Sequence, residues 1–107
     1  MRIAISANSA DENGRISRHA ARAECYLVFD EMAKLQDVVQ NPFKDYDHAV
    51  GIRVADYLHE KGIGAIAAAN FGTGFIDALD AKGVRHVECD GIVAEVAKDL
   101  VARFGRS

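Results

Sequence analysis

The sequence predicts a single α/β domain, with a mixed five-stranded sheet covered by three helices. Three observations predict it. Five short apolar runs have the length and the β-branched or aromatic content of strands. Three longer stretches place apolar residues on one helical face. Beyond the third strand-like run the two patterns alternate, as they do where parallel strands are joined by helical crossovers. With 107 residues, 50% hydrophobic and 27% charged, the chain is sized for one domain. Such a domain buries roughly 60–70% of its unfolded surface. The composition is that of a soluble globular protein, neither disordered nor embedded in a membrane.

The elements follow in order. Arg2 to Ala7, RIAISA, alternates over a strand's length. NSADENG is polar, ends in Gly and reads as a loop. Cys25 to Asp30, CYLVFD, is a continuous apolar run suited to a buried strand. After EMAK, the run LQDVVQ returns as its hairpin partner, and Asn41-Pro42 ends it. A helix fits from Asp47, as N-cap, to Lys61, with Gly62 at C′ and Val50, Val54, Tyr57 and Leu58 on one face. IGAIAAAN, Ile63 to Asn70, is small and apolar, as a central strand covered on both sides requires. FGTG turns into a short helix capped by Thr73, with Phe75, Ile76 and Leu79 inward and Gly83 closing it. Val84 to Glu88 is a short strand. Asp90 caps a last helix whose stripe is Val93, Val96, Ala97, Leu100, Val101 and Phe104. There is no repeat, low-complexity segment or linker.

The order is β-β-β-α-β-α-β-α. An antiparallel meander followed by two right-handed crossovers gives strand order 3-2-1-4-5, resembling a ribonuclease H-like fold. Strand 2 then starts at the sheet edge where strands 1, 3, 4 and 5 end. That edge gathers Asn8 to Ser9, His19 to Cys25, Asp45 to His48, Asn70 to Gly74 and Cys89 to Gly91. Ligands of α/β sheets bind outside the carboxyl ends of the strands, near the point where strand order reverses.

Several functions are excluded at this stage. A formal charge of −3 argues against a nucleic-acid binder, which shows a basic face. No apolar run approaches the roughly 20 residues of a spanning helix, and MRIAISANSADENG has no signal-peptide core. The two cysteines are then expected as free thiols or ligands, and the chain as cytoplasmic. Phosphate-loop, dinucleotide, nucleophile-elbow and zinc-helix motifs are missing. A two-metal nuclease needs clustered carboxylates with one on strand 1, where this chain offers Ser6.

What remains is a binding surface. Asn70-Phe71-Gly72-Thr73-Gly74 joins a strand to a helix N-terminus, where free amides favour an anion. The plain alternative is that its glycines only permit a tight turn. His19 and Cys25 are borderline and soft ligands, suited to iron, copper or a metal–sulfur cluster, although their spacing fits no standard motif. Their plain alternatives are a solvated loop histidine and a small buried hydrophobe. Arg18 and Arg22 either activate the thiol, pair with an anion or remain solvated. His48 is expected in the first turn of the first helix, and Cys89 as a buried thiol or a ligand. Strands 2 and 5 lie three places apart, roughly 14 Å, so Cys25 and Cys89 should not pair.

The motifs MRIAISA, ISRHAARAECYLVFD, NPFKDYDHAVGIRVADYLHEKGI and AIAAANFGTGFIDALDAKGV, followed by the terminal amphipathic helix, together resemble one family. It is that of the dinitrogenase iron-molybdenum cofactor biosynthesis and binding proteins. Ser17, His19, Arg22 and Ala23 match its S-x-H-F-G-R-A segment, with Ala20 and Ala21 in place of Phe and Gly. His48 matches a histidine typical of the family at the start of the first helix. Asn70 and Gly72 match its G-N-x-G turn, with Ala69 replacing the first Gly and Thr73 standing where Pro is common. The resemblance implies no turnover and reversible carriage of an anionic metal–sulfur cluster, either iron-molybdenum cofactor or a related molybdenum, iron or copper unit. It implies His19 as a metal ligand and Cys25 as a possible second. Arg22 and the Asn70 to Gly74 backbone would bond the cluster's sulfides or a carboxylate attached to it. A cluster-donor or acceptor protein is the expected partner, and the chain itself is expected as a monomer or as a weak homodimer through LQDVVQ. Two alternatives stand beside this: a protein–protein adaptor without metal, and a small enzyme using Cys25, His19 and Glu24.

Overall fold

The computed structural model describes residues 1–104. It contains β1 (Arg2–Ala7), β2 (Cys25–Phe29), β3 (Leu35–Gln40), α1 (Val50–Glu60), β4 (Ile63–Ala68), α2 (Thr73–Ala81), β5 (Arg85–Glu88) and α3 (Val93–Phe104). The sheet order is β3-β2-β1-β4-β5, as the sequence predicts. β1 pairs antiparallel with β2 and parallel with β4, and the remaining pairs are β2–β3 antiparallel and β4–β5 parallel.

Two cores result, one on each face of the sheet. Alternation along β2 sends Tyr26 and Val28 to one side and Cys25, Leu27 and Phe29 to the other. The first side meets α1 and α2 through Val54, Leu58, Phe75 and Leu79, and the second meets α3 through Val93, Val96, Ala97 and Leu100. With both faces covered, β2 is apolar throughout, as the uninterrupted CYLVF requires.

Several boundaries differ from the sequence reading. Asp47 is not the cap of α1: the helix begins at Val50, and Ala49 before it is left-handed at φ 59°. That turn leaves Asp47 and His48 in the exposed connection after β3. Thr73 is the first helical residue of α2, and the cap is extended Gly72, which makes no side-chain bond. β4 stops at Ala68, so Asn70 lies in the turn beyond it. β2 ends at Phe29 because the Asp30 carboxylate accepts the amides of Met32 and Lys34 and so forms the hairpin turn. Asp90 accepts the Gly91 amide and pairs with Arg15 at 3.0 Å. The first amides of α3 are instead met by the Gly14 and Glu12 carbonyls. The closing glycines, Gly62 and Gly83, are left-handed as predicted.

Close approach dictates one further glycine. A Cβ on Gly51 would lie 3.0 Å from Cα and N of Phe75, so the N-terminal turns of α1 and α2 touch there. Propensity alone predicts that Gly51→Ala gains about 1 kcal/mol. Overpacking costs about 1–3 kcal/mol, and chemical denaturation should show a net loss. A more stable variant would mean that the helices separate without cost.

Candidate functional site

At the carboxyl edge of β1 and β4, a recess of about 210 Å³ opens between two segments. Arg18, His19, Ala20, Ala21 and Arg22 form one wall, and Asn70 and Gly72 form the other. A hollow of about 380 Å³ adjoins it, where Arg22 and Gly72 meet Ala49, Ile52, Gly74 and Phe75.

The first wall is fixed by Ser17, which is buried. Its amide donates to the Ser6 carbonyl at 2.7 Å, and its carbonyl accepts the Ala69 amide at 3.1 Å. Ser17 therefore bridges β1 to the segment following β4. Its hydroxyl accepts the His19 amide at 3.1 Å, so the S-x-H spacing sets the turn that exposes His19. Beneath the loop, Tyr26 and Asn41 reach up from β2 and from the end of β3. The Tyr26 hydroxyl donates to the Ala20 carbonyl at 2.6 Å. Asn41 Nδ2 donates to the carbonyls of Ala21 at 2.8 Å and Ala23 at 2.9 Å, and its Oδ1 accepts the Phe43 amide at 3.0 Å. Burial first, then the neighbouring Cys25, pushes the Tyr26 phenol far above its ordinary range and keeps it a donor.

The second wall is the start of α2. The first intrahelical bond runs from the Ile76 amide to the Gly72 carbonyl, so the amides of Thr73, Gly74 and Phe75 have no partner within the helix. This differs from α3, whose first amides are bonded by the loop at 12–14. Gly72 and Gly74 do not have to be glycine for the sake of the chain. Gly72 sits at φ −75°, ψ 151°, open to any residue, and a Cβ at either position would meet nothing within 4 Å. The tight-turn alternative therefore lacks a physical cause.

His19, Arg22, Asn70 and Gly72 are thus brought together, with Gly74 in the adjoining hollow. The Arg22 guanidinium also donates to the Lys44 carbonyl at 2.7 Å. Lys44 in turn pairs with Glu24 at 3.3 Å and Asp45 at 3.5 Å. His48 and Thr73 are exposed and line neither hollow. Cys25 is only 3% exposed and packs on the α3 face, with Sγ 3.8 Å from the Ala7 carbonyl. The structure therefore does not bring Cys25 into the recess with His19. Cys89 is half-buried against the same α3-side core. Among the described residues no group of three or more His, Cys, Asp and Glu is placed to hold a metal ion. A larger hollow, about 560 Å³, lies at the opposite end of the sheet beside Asp30, Glu31 and Asp37. Arg2 and Met1, whose terminal ammonium pairs with Glu31, also line it, so the carboxylates there are only partly offset.

Burial pushes both thiols above their ordinary value, with Glu24 adding to the rise at Cys25. A nucleophilic thiol needs the opposite shift. The folded pKa therefore exceeds the unfolded one, so this contribution to stability is complete below the unfolded value. It declines as pH rises above about 8.5 towards the folded pKa. Denaturation midpoints followed from pH 7 to 10 should fall at the alkaline end, and less so in Cys25→Ala. A midpoint that rises over this range would contradict the burial of the thiols.

Residues 1–103 match the family described as dinitrogenase iron-molybdenum cofactor. The chain belongs to that family. No curated protein matches the chain. Among solved structures, a putative NifB protein from Thermotoga is 30% identical, with TM-score 0.77, covering 96% of this chain and 88% of that one. The apo form of the orange protein from Desulfovibrio gigas is 24% identical, with TM-score 0.87, covering 95% and 88%. At that identity the second match establishes the shared fold. In this family member no helix among the described residues is long and apolar enough to cross a membrane.

Proposed function

We propose that the domain is a non-catalytic carrier that binds an anionic metal–sulfur cluster, of the iron-molybdenum cofactor type or a related one, at the recess beside His19. The observation that carries this reading is the space in front of Gly72 and Gly74, which neither backbone conformation nor packing requires. It opens between the Arg18 and Arg22 cations, the His19 imidazole and the first amides of α2, which have no partner among the described residues. Lone His19 suits a cargo that brings most of its own ligands as sulfide, because the described residues supply no shell for a bare ion. A carrier must also release its cargo, which favours few protein ligands.

In this reading His19 is the metal ligand, and Arg22, Asn70 and the Gly74 amide donate to sulfide or to an attached carboxylate, with the Thr73 amide reaching it only from outside the two hollows. Cys25 enters as a second ligand only if its thiol turns out of the α3-side core. His48, in the exposed connection before α1, meets cargo or the donor and acceptor proteins from the rim. The family match and the likeness to a putative NifB protein support the same assignment.

The test is metal and sulfide analysis of protein purified anaerobically from its own host. Molybdenum, iron or copper present together with sulfide is the expected result. A metal-free protein that stays so after anaerobic reconstitution would leave the adaptor reading. That reading has one observation of its own, Ile52, which is 58% exposed on the hollow's lip.

A further inference from the structure

We infer that Tyr26 and Asn41 are positioning residues for the cargo: they hold the loop so that the amides of Ala21 and Arg22 point into the recess. This rests on the carrier reading above. Tyr26 and Asn41 engage the carbonyls of Ala20, Ala21 and Ala23 from below. They also contact each other, Asn41 Nδ2 to Tyr26 Oη, at 3.3 Å. No peptide bond in the described chain is cis, and in a trans peptide the C=O and the following N–H point in opposite directions. Carbonyls drawn down at Ala20 and Ala21 therefore turn the amides of Ala21 and Arg22 upward, away from the core. Both residues line the recess, and among the described residues neither amide has a hydrogen-bond acceptor.

The orientation of the network leaves little freedom. Asn41 is only 5% exposed, and its Oδ1 is occupied by the Phe43 amide. Its amino group thus faces the loop, and an interchange of O and N would oppose oxygen to two carbonyls. The Tyr26 hydroxyl is used in both directions, its proton donated to the Ala20 carbonyl and its oxygen accepting from Asn41 Nδ2. A carbonyl turned outward would present negative charge to an anionic cargo, whereas an amide presents a donor to sulfide or oxo atoms.

The experiment titrates uniformly labelled protein with tetrathiomolybdate under anaerobic conditions and follows the amide resonances. Tyr26→Phe removes one hydroxyl, and Asn41→Asp replaces the donating amino group by an acceptor. Val96→Ala, in the α3-side core, serves as a destabilised control away from the recess. In the wild type the Ala21 and Arg22 amides should shift downfield on binding. Both network variants should bind at least tenfold more weakly and lose that shift, at a temperature where they and the control are folded. The control should bind like the wild type. Wild-type binding with unmoved Ala21 and Arg22 amides, or wild-type affinity in both network variants, would overturn the positioning role alone. Equal weakening in Val96→Ala would reduce the effect to lost stability and overturn it too. No binding by the wild type would overturn the carrier reading, and the positioning role with it.

Discussion

His19→Ala is expected to retain less than a tenth of the wild-type metal and sulfide after anaerobic purification, while unfolding at the wild-type temperature. The two halves of this expectation have separate causes. The imidazole is exposed and lines the recess, so removing it leaves no cavity in either core. The structural bond at this position is made by the main chain, from the His19 amide to the Ser17 hydroxyl, and alanine keeps it. A surface change of this kind stays within about 0.5 kcal/mol. Removing even an indirect support of a metal ligand costs roughly 10–100-fold in affinity, and a direct ligand should cost no less. Full metal content in His19→Ala would place the cargo elsewhere.

Filling the space in front of α2 should move stability and cargo in opposite directions. In the double variant Gly72→Ala/Gly74→Ala neither new methyl meets an atom within 4 Å. Gly74 lies in the first turn of α2, where alanine is favoured by about 0.8–1 kcal/mol. Gly72 already holds a conformation open to alanine, and restricting the unfolded chain there adds about 0.4–1 kcal/mol. The melting temperature should therefore rise by several degrees. Cargo retention should fall, because the methyls project into the volume a cluster would occupy. A stabilised variant that loads as well as the wild type would refute the cradle, whereas a destabilised one would contradict the open geometry at both glycines.

The strand order and the carboxyl edge were legible because they rest on local pattern and handedness: five apolar runs, their spacing and right-handed crossovers. Pattern also brought His19, Arg22, Asn70 and Gly72 to one place, since each follows or precedes a strand end at that edge. Position along a strand does not decide which face a side chain takes. Cys25 sits at the expected edge, yet period-two alternation sends it with Leu27 and Phe29 to the α3 side. Asp47 looks like a cap, but the left-handed turn at Ala49 starts α1 later. The Tyr26–Asn41 support spans fifteen residues of sequence. Asn41 before Pro42 signals a strand end and no more, and nothing local predicts that its amide is buried beneath a loop twenty residues earlier.

The bridge at Ser17 has a consequence for how the empty site behaves in time. Its two main-chain bonds join the end of β1 to the segment leaving β4, at the centre of the sheet. Ser17 is buried where the two central strands end, so the Ser17 and Ala69 protons should exchange with solvent more slowly than the amides of the loop at 18–24. On the carrier reading, cargo would meet a wall whose root is held more firmly than its rim. Exchange of the cluster between proteins would then, on the same reading, involve the outer loop and not the melting of the sheet.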